Sequence, residues 1–181
     1  MHVCPLARGG TFLSVLRAVT TSLAILTASI ALASSPAAGA APPGSQCGAN
    51  LTAPQIALAV RSLPPAIRGV DAPWDPNPYG GNYDPCATLS VALVTVQGAT
   101  ASSPEHALLF HLGEYVGTAT QTPYPFTALN KDETGDDTVV LDYKDGRSVC
   151  TACPGPMYEV HFQWRDDRVV MLDPLPPSPG S

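Results

Sequence analysis

Charge is scarce in this chain, and positive charge scarcest. Charged residues make up 13% of it, about half the share of an ordinary globular protein, with nine Lys and Arg against fifteen Asp and Glu. A shortage of cations removes the basic patches that draw nucleic acid and anionic lipid headgroups, so neither is an expected partner. Beyond residue 40 no apolar stretch approaches the roughly 20 residues that a membrane-spanning helix needs. Catalytic signatures are missing as well. There is no G-x-S-x-G nucleophile elbow, no H-E-x-x-H pair and no phosphate-cradling glycine loop, so hydrolase and nucleotide-binding readings lose their usual support.

What is present begins with an export signal. Arg8 and Arg17 precede an apolar run from Ala18 to Ala33, and the run leaves through the small residues Ala38-Gly39-Ala40. A charged start, an apolar centre and an A-x-A exit mark a secretory signal peptide. Residues 1–40 are therefore expected to be removed, and the mature protein to be secreted or to sit in the cell envelope. Both leader arginines go with the signal, which leaves seven basic against fifteen acidic residues, a net charge of −8. Residues 41–50, rich in Ala, Pro and Gly, read as a disordered linker, residues 51–176 as one domain, and residues 177–181 as a proline-rich tail.

Four cysteines remain after the leader: Cys47, Cys86, Cys150 and Cys153. An even number in an exported chain reads as two disulfides, and of the three pairings Cys47 with Cys86 and Cys150 with Cys153 is favoured, because the last two are neighbours in one loop. Cys150-Thr151-Ala152-Cys153 also has the spacing of a redox dithiol or half a zinc site. Pro154-Gly155-Pro156 follows it, however, which denies it a helix N-terminus, and no second ligand pair matches it.

Thr52 with Gln55 three residues on forms a capping box ahead of Ile56, Leu58, Ala59 and Val60, and predicts a short helix over 53–62 that stops at Pro64-Pro65. The proline-rich stretch 73–85 predicts a rigid loop, neither strand nor helix. Strand signals follow at 89–96, 106–112, 115–120, 138–143, 158–164 and 168–172, with Gly113-Glu114 as a type II′ hairpin turn and Arg165-Asp166-Asp167 as a second turn. Tyr158, Val160, Phe162 and Trp164 alternate with Glu159, His161 and Gln163, one face for the core and one for water. The expected fold is α+β: a single domain, mostly an antiparallel sheet of about six strands, with one short N-terminal helix.

The strings NYDPCATLS (82–90), HALLFH (106–111), GEYVGTAT (113–120), DDTVVLDY (136–143) and VVMLDPLPP (169–177) occur in the order that resembles the LppP/LprE family of mycobacterial and related actinobacterial envelope proteins. The resemblance implies location and fold and transfers no catalytic residue. A bacterial lipidation site places a cysteine directly after the apolar region, whereas the first cysteine here past the leader is Cys47. A covalent lipid anchor is not expected.

Candidate functional residues fall into three groups. Trp74, Tyr79, Tyr83, Tyr124 and Phe126 lie in proline-rich loops, where aromatics line grooves for sugar, lipid or peptide or else lid a sheet. His106, His111 and His161 fall on strands, and with Glu114 or Glu159 they are the residue types of an acid–base or metal site; His106 and His111, an odd number apart, belong on opposite faces. Asp132, Glu133, Asp136 and Asp137 crowd one loop, but Gly135 stands at the wrong position for a calcium-binding EF-hand loop. No catalytic residue, cofactor or metal is assigned. The expected function is a non-catalytic binding or interaction module with an unidentified envelope or extracellular partner; the alternative is an extracytoplasmic enzyme built on His111 and His161 with the carboxylates.

Overall fold

The computed structural model describes residues 46–147 and 151–177. The expected signal peptide, the first half of the linker, Cys150 and the end of the tail lie outside the described residues.

Among the described residues one helix, α1 (Pro54–Arg61), precedes eight strands: β1 (Gly80–Gly81), β2 (Ser90–Thr95), β3 (Glu105–His111), β4 (Glu114–Thr118), β5 (Thr127–Leu129), β6 (Thr138–Lys144), β7 (Met157–Arg165) and β8 (Arg168–Met171). They form two antiparallel four-stranded sheets, ordered β1-β2-β3-β4 and β5-β6-β7-β8. The expectation of one sheet of about six strands is thus corrected to two sheets and eight strands. Its mostly antiparallel character, with one short helix ahead of the strands, stands for the described residues.

The chain builds three layers. Helix α1, through Ile56, Ala59 and Val60, packs with Trp74 and Tyr83 on one face of the first sheet, against Ala92, Val94, Leu108 and Phe110. The other face of that sheet, with Val91, Leu93, Ala107 and Leu109, meets Val139, Leu141, Val160 and Phe162 of the second. The first sheet is therefore buried on both sides, which is why β2 and β3 read as continuous apolar runs rather than alternating ones. The second sheet turns one face to water, and β7 alternates accordingly.

Three local expectations change. Helix α1 begins one residue late, with Ala53 as N-cap and Pro54 in the first turn. No side chain caps it. The Thr52 hydroxyl donates instead to Asn50 Oδ1 at 2.8 Å, and Pro54, which needs no N–H partner, starts the helix. The loop 73–85 contains the strand β1, paired through Gly80 with Leu93 and Gly81 with Ala92. A side chain at Gly81 would put its Cβ 2.3 Å from the Val91 carbonyl oxygen, so only glycine permits that pairing. The β3–β4 turn is Leu112-Gly113, both at positive φ (47° and 82°), which makes it type I′ rather than a II′ turn at Gly113-Glu114. Asp166-Asp167 turn β7 into β8 in the same left-handed conformation.

The disulfide Cys47–Cys86, with Cα atoms 5.3 Å apart, ties the segment before α1 to the loop before β2. Cys153 is also disulfide-bonded.

Candidate binding site

The five loop aromatics do not share a surface. Trp74, Tyr83 and Tyr124 are buried, which corrects their place on an expected ligand surface. Trp74 donates its indole N–H to the Pro64 carbonyl at 2.8 Å. The Tyr83 ring meets Phe110 edge-on at 4.7 Å, and the Tyr124 hydroxyl donates to the Pro176 carbonyl at 3.1 Å. Tyr79 is 47% exposed, yet its hydroxyl is tied down, 2.8 Å from Glu105 Oε2 and 2.9 Å from the Thr127 carbonyl. Burial raises its pKa, with the Glu105 charge adding to the effect.

Phe126 remains partly accessible, and its setting is unusual. Its φ is 61°, a left-handed conformation that is an outlier for a bulky side chain and costs of order 1–3 kcal/mol. Its ring lies on Gly146, where an added Cβ would approach Cε2 to 2.6 Å. The Lys144 ammonium sits 4.6 Å from the ring centroid and donates to the Thr151 carbonyl at 2.7 Å. These residues line a cleft of about 230 Å³, closed on one side by Pro176 and Pro177 and rimmed by Asp145 and Arg147, which pair at 3.0 Å.

A larger concavity of about 520 Å³ opens between β4 and β8, over Leu109, Ala119, Trp164 and Val169. The opposite edge of the two sheets is closed: Glu105, at the head of β3, accepts the Thr127 amide of β5 at 2.7 Å along with the Tyr79 hydroxyl. The sandwich is clasped on one side and open on the other.

The three strand histidines occupy three different layers. His106 is buried on the face of the first sheet that Trp74 and α1 cover, 5.1 Å from the Trp74 ring. Its Nδ1 has no hydrogen-bond partner among the described residues, and burial lowers its pKa to about 4. His111, on the other face, stacks on Trp164 at 3.8 Å with the rings 10° from parallel and donates Nδ1–H to the Thr88 carbonyl at 2.6 Å. His161 lies on the far face of the second sheet, where Asp173 Oδ2 accepts both its backbone N–H (2.9 Å) and its Nδ1–H (2.7 Å); Glu159 Oε1 stands 3.9 Å from Nε2. Because β7 separates them, His111 and His161 do not converge. The alternative that pairs them in one catalytic site is therefore corrected. Among the described residues no group of three or more His, Cys, Asp or Glu is placed to hold a metal.

The acidic loop serves structure. Asp136 accepts the Thr88 hydroxyl at 2.7 Å and offers its carbonyl to Leu89 N–H at 2.8 Å, joining the two sheets, while Asp137 accepts the Thr138 hydroxyl at 2.8 Å. Sequence reasoning did not find the open edge between β4 and β8. Trp164 read as an ordinary core position, and the alternation of β7 carries no sign that its neighbouring sheet ends there.

Residues 81–167 match the family model of the LppP/LprE lipoprotein. Two relatives, from Mycobacterium leprae and Mycobacterium tuberculosis, carry the name "Putative lipoprotein LprE". The first is 33% identical over 159 residues, covering 84% of this chain and 75% of the relative. The second is 36% identical over 126 residues, covering 70% of this chain and 58% of the relative. No solved structure matches the chain. The matched span runs from the second residue of β1 to the turn before β8 and so takes in seven of the eight strands named above, and on these likenesses the chain belongs to the LppP/LprE lipoprotein family.

Proposed function

We propose that this protein is an exported, cell-envelope-associated binding module without catalytic chemistry, and that it holds its ligand in the Phe126 cleft. The observation that carries the reading is Phe126 itself, an aromatic side chain kept in a costly left-handed conformation at the wall of an open cleft. Strain of this kind collects at ligand clamps. The lining suits a ligand that lays a ring or apolar face on Phe126 and the flanking prolines and meets Lys144, Arg147 and Asp145 with polar groups.

Envelope association is supported by the leader in the sequence and by the lipoprotein names of the relatives. The mature chain begins near Ala41 and carries no acyl chain. Support for the second point is the Cys47–Cys86 bond, which occupies the thiol that acylation would need. Intact mass and N-terminal sequencing of the exported protein test this; a diacylglyceryl increment on any cysteine refutes it.

The cleft is tested by native mass spectrometry of the exported protein after incubation with envelope extract. A bound small molecule should be retained by the wild type and lost both in Phe126→Ala and in Gly146→Ala, whose added methyl displaces the ring. Retention in both variants would remove the cleft as the site.

A further inference from the structure

The geometry points to a second binding site, independent of the Phe126 cleft: the open edge of the sandwich between β4 and β8 takes an alkyl chain of a small amphiphile. Its floor is core. Leu109 is buried, and Ala119, Trp164 and Val169 pack against the cluster that joins the two sheets, so an occupant here meets the same aliphatic surface that the sheets present to each other. At about 520 Å³ the concavity falls within the range of small-molecule sites. At its rim Val116 and Met171 are 40% and 44% exposed, extending apolar surface outward.

Trp164 is already fixed in place. His111 stacks on its ring, the Thr88 carbonyl holds His111, and the Trp164 backbone N–H donates to the Asp137 carbonyl at 2.9 Å. A floor so pinned loses little freedom when it is covered.

Three kinds of occupant compete for such an edge: an added β-strand, a second copy of this chain, and a small apolar molecule. The edges themselves disfavour the first two. The register of β3 and β4 jumps from Leu109↔Gly117 to Phe110↔Tyr115, so Val116 bulges out of the ladder, and β8 is four residues long. Bulges and short edge strands are the devices that prevent edge-to-edge pairing. An alkyl chain needs no ladder. The polar groups at the mouth, Thr118, Asp167 and Arg168, are left to meet its head.

The test is a titration of the isotopically labelled mature protein with 1-decanol, followed by amide and indole NMR. Two indoles are present and only one lines the site, since that of Trp74 is buried and bonded to Pro64, so Trp74 serves as the internal reference. The Trp164 indole and the Val169 amide should move saturably while Trp74, Leu58, Leu112 and Gly146 stay still. Ala119→Leu, which fills the floor, and Val116→Asp, which charges the rim, should each weaken the response at least about tenfold with the remaining spectrum intact. The proposal is overturned if Trp164 does not move up to the solubility limit, or if Leu58 and Leu112 move in parallel, as in general adsorption. It is overturned equally if only the Phe126 cleft responds, or if Val116→Asp binds as wild type does. Two further results would replace the occupant: a blocked hexapeptide of alternating valine and threonine moving the same signals at lower concentration, or the signals moving with protein concentration alone.

Discussion

The Glu105 carboxylate accepts the Tyr79 hydroxyl at 2.8 Å, and with the Thr127 amide on the same oxygen it fastens the first sheet to the second. Burial raises the pKa of Glu105, and the two hydrogen bonds only partly oppose it. A carboxyl whose pKa is higher in the fold than in the unfolded chain contributes stability that is full below the unfolded value and is lost as pH rises through the folded one. Glu105→Gln keeps an oxygen for both donors and removes the ionisation. Urea unfolding of this variant should show a smaller loss of stability between pH 4 and pH 7 than the wild type does. An unchanged or steeper pH slope contradicts the account.

His106 works in the opposite direction. Its pKa is lowered by burial to about 4, against an ordinary value near 6.5, so the unfolded chain takes up its proton first. Stability is therefore complete above about pH 6.5 and falls as pH drops towards 4, by on the order of 3 kcal/mol at the lower end. His106→Leu should flatten that acid limb in thermal and urea unfolding. If the limb persists unaltered, its cause lies elsewhere.

The Cys47–Cys86 bond closes a loop across 39 positions of sequence, for which the chain-entropy model gives on the order of 4 kcal/mol. Cys86→Ser is expected to lower stability by about 2–5 kcal/mol, measured by urea unfolding under oxidising conditions. A loss well under 1 kcal/mol would mean that α1 docks without the staple.

Leu112 occupies a left-handed turn position with its side chain 54% exposed, where asparagine or glycine is the usual choice. Leu112→Asn should raise stability by about 0.5–1 kcal/mol, read as a higher melting temperature. A lower melting temperature would show that the leucine packs to advantage despite its backbone.

How far the fold was legible follows from what each face of a strand touches. The alternation in β7 is visible because one side meets the core and the other water, and its far-face residues Glu159, His161 and Gln163 stand where that rule puts them. In β2 and β3 both sides are buried, the period vanishes, and with it the information that two sheets are stacked there. Strand β1 escaped because its residues are glycines, which carry no pattern; Gly81 can pair because it has no side chain to collide with the Val91 carbonyl of β2. The aromatics were the weakest guide to the site. A proline-rich loop predicts irregular backbone but not direction: Trp74 and Tyr83 turn inward beside α1, which alone is too small to cover the first sheet, while Tyr124 turns into the core between the two sheets, edge-on to Tyr143.

The placement of the disulfide decides which parts of the molecule bear force. Tension applied to the chain ahead of Cys47 crosses the sulfur bridge to Cys86 and enters the sandwich at the head of β2, a strand hydrogen-bonded on both sides. The intervening residues, α1 and the loop through Trp74 and Tyr79, lie in a closed side branch and carry none of the load. A module pulled from its N-terminal side thus keeps its helix and its Tyr79 clasp under strain for as long as the bridge is oxidised.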